Sequence, residues 1–384
     1  MREYFYCRPG NLNSIGGKWS DCLDQMAKIG DSGWLLLKAV VFINTTDLHD
    51  FIRRRKELGD SLQERFRGHC PAYNVVSQPP LPGPDILVEV LALQANTCKC
   101  TYKLYESIPY VVIESPCGNE VIAAGLGDGL EACNTRDSST MAFRQMVNIL
   151  NVEGMTLDNV IRQWNYVGDI LRTNEKYQNY QLFNEVRSDF YEKLRTVEGF
   201  PAATGVGSLY GGFFLDFHAV RPGAGTRIIP LDNPDQVNAF EYDNEVLVGI
   251  DTEGTKSKKP PKFERALIMT CMEETILYVS GTASIKGQDT TGINDVARQT
   301  EITVDNISNL ADIERIRKLT GRQDLCTLKL LNHRVYIKDR GDFETVKQEC
   351  GKIYTLDSGA FVEADICRND LLVEIEAEFS VISS

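Results

Sequence analysis

The sequence predicts an α+β fold made of three copies of one unit, a single chain that imitates a trimer. Three observations lead there. An apolar strand, an amphipathic helix and two closing strands recur three times along 384 residues. Cys70-Pro71-Ala72-Tyr73 of the first copy is echoed by Phe200-Pro201-Ala202-Ala203 of the second. The spacing of the copies exceeds the roughly 20–50 residues of a solenoid, so each copy is a small domain. Strand–helix alternation closed by antiparallel pairs implies one mixed sheet per copy with helices on one face. The expected boundaries are 1–97, 98–222 and 223–384.

Copy one opens irregularly, with a short helix expected over 20–29 and a truncated first hairpin. The strand LLLKAVVFI, the helix in DLHDFIRRRKELGDSLQERF and the strands CPAYNVV and ILVEVLAL follow. Pro79, Pro80, Pro82 and Pro84 make a rigid turn before the last strand. Copy two is fuller. Its first strands break at a Pro-Cys-Gly-Asn turn, and Met141, Met146, Ile149 and Leu150 predict a helix over 139–152. GLGDGLEA has glycines at 125, 127 and 129 but lacks the Lys-Ser/Thr of a phosphate loop, so it reads as a turn.

Copy three follows the junction RPGAG. DTEGTKSKKPPK reads as a polar surface excursion. A helical run is expected from Asn294 to about Leu319, interrupted near 306–310, before the last strands and helix.

A net charge of −13 argues against a nucleic-acid partner, which needs surplus Lys and Arg. No stretch reaches the roughly 20 apolar residues of a membrane span, and the N-terminus has no signal-peptide pattern. A cytoplasmic protein is expected. The eleven cysteines lack CxxC spacing and read as buried thiols in a reducing compartment. Cys98-Lys99-Cys100 is the one close-spaced pair, and four scattered histidines form no metal cluster.

The candidate chemistry lies in LLVEIEAEF. Residues two apart on a strand share a face, so Glu374, Glu376 and Glu378 point one way. They form a solvated face, or one of them enters a closed pocket, keeps its proton and serves as a general acid. Cys367, seven residues before Glu374, lies on the preceding strand across a turn at Asn369–Asp370. The small residues of SGTASI, Gly281 and Ala283 among them, permit close approach of a ligand; tight strand packing explains them equally well. Trp164, Asn165, Tyr166, Tyr180, Phe183 and Asn184 line a pocket or pack a core. Arg187, Arg265 and Arg368 are candidate carboxylate clamps.

ILVEVLAL and LLVEIEAEF resemble the closing strand of the YjgF-like (Rid, chorismate mutase-like) fold, whose members are homotrimers with ligand sites between subunits. The resemblance implies three such repeats forming a pseudo-trimer. The Arg that follows Pro-Ala in its imine deaminases is replaced by Tyr73 and Ala203, and the position near Gly359 is not Arg either.

A narrower resemblance covers about 157–379. It rests on WNY (164–166), YQLFN (180–184) with Arg187, PAATGVG (201–207), NPDQVNAF (233–240) and KFERA with Arg265. It continues through SGTASI, RQTEITVDNI with Glu301, and ADICRNDLLVEIE. These stretches resemble the chorismatases of the hydroxybenzoate-forming type, which Cys367 and Gly281 fit. The resemblance implies an enzyme that cleaves the enolpyruvyl ether of chorismate to pyruvate and a 3-hydroxybenzoate-type product. It makes Glu374 the general acid and Cys367 an aid to aromatisation. Arg265 and Arg368 become carboxylate anchors, with Tyr166, Phe183 and Ala283 shaping the ring pocket. Neither metal nor cofactor is implied, and a pseudo-trimer is expected to be a monomer. The alternatives are a YjgF-like small-carboxylate binder or imine/enamine deaminase, and a scaffold with no pocket. The armed residues gather in copies two and three, which predicts one working cleft at their junction.

Overall fold

Apolar strands alternating with helices build three mixed sheets in chain order. The computed structural model describes residues 1–10, 12–83, 85–96, 98–127, 134–174, 177–247, 258–352 and 359–383. Pro84, Gly129, Cys133 and most of the 251–259 excursion lie outside them.

The first unit runs β1 (Arg2–Cys7), α1 (Ile15–Asp31), β2 (Trp34–Ile43), α2 (Leu48–Arg65), β3 (Ala72–Val76) and β4 (Ile86–Gln94). Its sheet order is β1-β4-β2-β3. The second runs β5 (Lys99–Tyr105), β6 (Ile108–Ser115), β7 (Gly118–Leu126), α3 (Thr135–Val152), β8 (Val160–Gly168), β9 (Thr173–Asn174) and β10 (Tyr177–Gln178). It ends with α4 (Asn179–Leu194), β11 (Ala202–Ser208) and β12 (Phe213–Pro222), in the order β11-β8-β12-β7-β6-β5. The third runs β13 (Arg227–Leu231), β14 (Ala266–Thr270), β15 (Thr275–Ala283), β16 (Ile285–Lys286), β17 (Asp289–Thr290), α5 (Val296–Leu310) and α6 (Ile313–Thr320). It ends with β18 (Leu325–Ile337), α7 (Phe343–Cys350), β19 (Gly359–Glu363) and β20 (Val373–Ser383), in the order β13-β14-β15-β20-β18-β19.

One pattern recurs in all three. A strand pairs in parallel with the strand beyond its helix, as β2–β3, β8–β11 and β18–β19. The same strand pairs antiparallel with the closing one, as β2–β4, β8–β12 and β18–β20. A parallel pair needs a crossover, and α2, α4 and the α7 segment supply it.

Capping explains where the helices depart from expectation. Ser14 accepts from the Gly17 N–H and starts α1 a turn and a half early; Asn134 accepts from the Asp137 N–H and starts α3 one turn early. The break in the long run falls at Ala311 and Asp312, beyond 306–310, because Asp312 caps α6 through the Glu314 and Arg315 N–H groups.

The reading of every cysteine as a free thiol is corrected. Cys117 and Cys271 form a disulfide between the second and third sheets, with Cα atoms 5.7 Å apart. They are 154 residues apart in sequence, and two surface turns bring them together, a long-range pairing that local spacing cannot show.

The sheets meet around buried charge. Arg334 forks onto Glu89 at 2.6 and 2.8 Å, Arg162 meets Glu376 at 3.0 Å, and Lys38 meets Asp216 at 3.4 Å. Each pair joins two different units. Beside them Arg2 pairs with Glu120, which His218 also contacts, and the Tyr4 hydroxyl donates to Glu378 at 2.7 Å.

Candidate active site

β20 carries the site because its two faces meet different surroundings. Val373, Ile375, Ala377, Phe379 and Val381 enter the core of the third unit. Glu374, Glu376 and Glu378 point the other way, as period-two geometry requires. The solvated-face reading is corrected, since the three are 5%, 3% and 7% exposed. The first and second units cover that face.

The three carboxyls differ through their neighbours. Desolvation opposes the charged form of Glu376. Arg162, Arg334 at 3.3 Å, and hydrogen bonds from Thr204 and the Trp164 indole outweigh it and hold Glu376 below the ordinary carboxylate range. Burial pushes Glu378 up. Glu374 has no cation at hydrogen-bond distance among the described residues. Burial, and then the Glu376 charge, push it up to about 8.

Glu374 faces a pocket between α4 and β11 of the second unit and β15, β20 and adjoining loops of the third. α4 is buried on two sides. Phe183 and Val186 enter the core of the second unit, while Tyr180, Asn184 and Arg187 line the pocket. Across from them the ladder of β15 and β20 slips between Val279 and Thr282, and Gly281 lies in that irregularity. A Cβ at Gly281 would stand 2.0 Å from Glu374 Oε1, so only glycine leaves room for the acid. Thr204 Oγ1, which accepts from the Gly281 N–H and from Arg162, ties the segment to β11.

Three guanidiniums, Arg187, Arg265 and Arg368, line this pocket in a chain of net charge −13. Arg265 is fixed by the Val237 carbonyl and the Tyr242 hydroxyl, and Arg368 by the Gln288 carbonyl at 2.9 Å. Asn184 Nδ2, Arg187 Nε and Arg265 Nε are buried donors without an acceptor among the described residues. Such donors favour an anionic ligand with several oxygens. Cys367 is on the same wall. Desolvation, followed by the Glu374 charge, pushes its thiol up to about 12, so it stays protonated.

The structure therefore brings together Glu374, Cys367, Asn184, Arg187, Arg265, Gly281, Ala283 and Arg368. It does not bring Tyr166 and Phe183 there, which corrects that expectation. Tyr166 is fully buried where the sheets meet, its hydroxyl accepting from Arg334 at 2.9 Å. Phe183 stacks on Phe213 with centroids 4.9 Å apart. Trp164 and Asn165 are buried away from the pocket as well, and Glu301 is an exposed partner of Arg298 on α5. Sequence reasoning missed Tyr242 and Phe263, which complete the wall from the segment before β14. No periodic signal marks them, because they lie in irregular chain.

The chain as a whole resembles known proteins. Residues 119–219 match the family described as chorismatase FkbO/Hyg5-like, N-terminal. A 3-hydroxybenzoate synthase of Streptomyces hygroscopicus is 30% identical over 253 residues, 62% of this chain and 68% of that relative. A chorismatase of the same organism is 33% identical over 221 residues, 56% of this chain and 60% of the relative. Among solved structures, a chorismatase superposes with a TM-score of 0.66 at 20% identity, covering 100% of this chain and 98% of that one, which shows the shared fold. With 30% identity across more than two thirds of a relative's length, this chain belongs to the chorismatase family.

Proposed function

We propose that this chain cleaves the enolpyruvyl ether of chorismate, releasing pyruvate and a 3-hydroxybenzoate-type product. One observation carries the reading: a carboxyl pushed up to about 8 shares a pocket with three guanidiniums. Chorismate has two carboxylates and an enol ether whose methylene must gain a proton. A carboxyl with that value is roughly nine-tenths protonated at pH 7, so it can give the proton.

In this reading Glu374 protonates the methylene. The resulting oxocarbenium ion makes the ether oxygen a leaving group, and pyruvate departs as its bond to the ring breaks. The ring then rearranges and loses a proton back to the site. Chorismate has the atoms of pyruvate plus a hydroxybenzoate, so no water is consumed, whereas a diene-diol product would take up one. Arg187, Arg265 and Arg368 hold the carboxylates, with Asn184 as a neutral donor. Gly281 and Ala283 leave space for acid and ring. Cys367, protonated beside Glu374, aids the rearrangement. The route draws on neither metal nor organic cofactor.

The units 1–97, 98–222 and 223–384 are in this reading YjgF-like repeats forming a pseudo-trimer, supported by their shared parallel and antiparallel pairings. One cleft works. At the junction of the first two units the large Tyr73 side chain, packed on Gly59, stands in place of Ala203, and Arg55 lies with its guanidinium 3.9 Å from the Phe214 ring centre. A chain that closes its own ring is a monomer, and a cytoplasmic one in this reading. The test is incubation with chorismate, with pyruvate coupled to lactate dehydrogenase and products resolved by chromatography. Pyruvate with a hydroxybenzoate is expected. No pyruvate, with ammonia released from 2-aminoacrylate, would replace the reading by a deaminase.

A further inference from the structure

The parallel ladders align the three units residue by residue. Lys38 stands opposite Ala72, Arg162 opposite Ala202 and Arg334 opposite Ala360, so the three bases hold equivalent places. Two residues beyond each base are Val40, Trp164 and Tyr336. Their partners on the closing strands are Glu89, Asp216 and Glu374. Glu374 thus stands where Glu89 and Asp216 stand in the other units.

Those two counterparts are ion-paired across their junctions, Glu89 with Arg334 and Asp216 with Lys38. At the third junction the base is Arg162, and it pairs with Glu376 instead of Glu374. Glu376 stands directly opposite Arg334 on the ladder, where the other units have Leu91 opposite Lys38 and His218 opposite Arg162. The third unit therefore carries one more carboxylate than the pattern needs, and that carboxylate takes the base.

We propose that Glu376 is a positioning residue for the Glu374 proton: it draws Arg162 away, and as a fixed anion on the same strand face it keeps Glu374 protonated. The side chains are two residues apart, roughly 7 Å along the strand. The groups facing Glu374 come from every neighbouring element. They are Arg162 from β8, Tyr336 from β18, Tyr180 and Arg187 from α4, Tyr242 and Arg265 before β14, and Cys367 and Arg368 before β20. The guanidiniums favour loss of the proton, and Glu376 is the carboxylate that opposes them. The inference rests on Glu374 being the acid of the proposed reaction.

The experiment reads the proton directly. The carbonyl stretch of protonated Glu374 is followed by infrared difference spectroscopy against pH and assigned by its loss in Glu374→Gln. Glu376→Gln is expected to lower the midpoint by roughly one pH unit or more, and Arg162→Gln to raise it, because the second change leaves the anion less neutralised. Asp216→Asn, which removes a buried ion pair at another junction, is expected to leave the midpoint in place. The alkaline limb of pyruvate release should move in step. Purely structural residues would not shift the midpoint in opposite directions. An unmoved midpoint in Glu376→Gln, or shifts of one sign in the two variants, overturns the proposal. Should Glu376→Gln not fold, Arg162→Gln decides alone, and no upward shift there overturns it. Opposite infrared shifts without any chorismate turnover would sustain this inference and overturn the assigned reaction.

Discussion

The space a side chain at position 281 would need is the space Glu374 occupies: an added Cβ would lie 2.0 Å from Oε1 and 3.0 Å from the carboxyl carbon. The acid is therefore placed by an absence on the neighbouring strand. Gly281→Ala forces the Glu374 carboxyl to move by an ångström or more. A displacement of that size costs about 10²-fold in rate where a proton must be delivered to one carbon. The expected outcome is a kcat for pyruvate release lowered by about that factor, in a protein that still unfolds cooperatively. An unchanged kcat would show that the acid need not occupy this place.

Glu374→Gln keeps size and hydrogen bonding but has no proton of suitable acidity to give. Pyruvate release should vanish. The same variant has a stability signature. The folded value of about 8 lies above the ordinary carboxyl value, so the folded state holds the proton more tightly than the unfolded one. The resulting stability is full below the ordinary carboxyl range and is lost as pH rises through about 8. Glutamine removes this loss. The variant should gain on the parent with rising pH, by up to about 5 kcal/mol above pH 8, as read by denaturant unfolding at several pH values. A gain that does not grow with pH would mean Glu374 is already ionised in the fold.

Cys367 shares the pocket and keeps its proton far above neutrality. Its proposed part comes after the ether has been activated. Cys367→Ala should therefore still release pyruvate but shift the second product from the hydroxybenzoate toward the diene diol, since water can use the space the sulfur leaves. Chromatography of the products reads this directly. An unchanged aromatic product would remove Cys367 from the reaction.

The strand pattern of the last unit was legible because period two is local: Glu374, Glu376 and Glu378 had to share a face whatever lay opposite. Which of them would be paired and which would keep its proton was not legible. That depends on Arg162, more than two hundred residues earlier and in another unit. The same limit explains Tyr166 and Phe183. Tyr166 meets Arg334 only because the third unit packs on the second, and Phe183, next to the pocket residue Asn184, turns instead into the core of its own unit against Phe213. Helix ends were misjudged where a polar cap, not an apolar residue, starts the turn, as at Ser14 and Asn134. Gly281 could be read as small, but the reason for its smallness is a carboxylate on another strand.

The junction of the first two units offers a test of how far buried charge holds the units together. Lys38 is 3% exposed, and burial pushes its ammonium down to about 8 despite Asp216 at 3.4 Å. Asp216 also accepts from Asn74 Nδ2 at 2.8 Å and the Gly125 N–H at 2.9 Å. Asp216→Ala leaves a buried cation and two buried donors unpaired, which should lower the unfolding free energy by about 3–5 kcal/mol. Replacing both partners removes the stranded charge, so Lys38→Met with Asp216→Leu should be markedly more stable than Asp216→Ala alone. Denaturant unfolding of the parent, Lys38→Met, Asp216→Leu and their combination closes a thermodynamic cycle and gives the coupling. If the double variant were no more stable than Asp216→Ala, the loss would lie with the Asn74 and Gly125 hydrogen bonds instead of the ion pair. The pH profile of pyruvate release should not follow these changes, because Glu374 is at another junction.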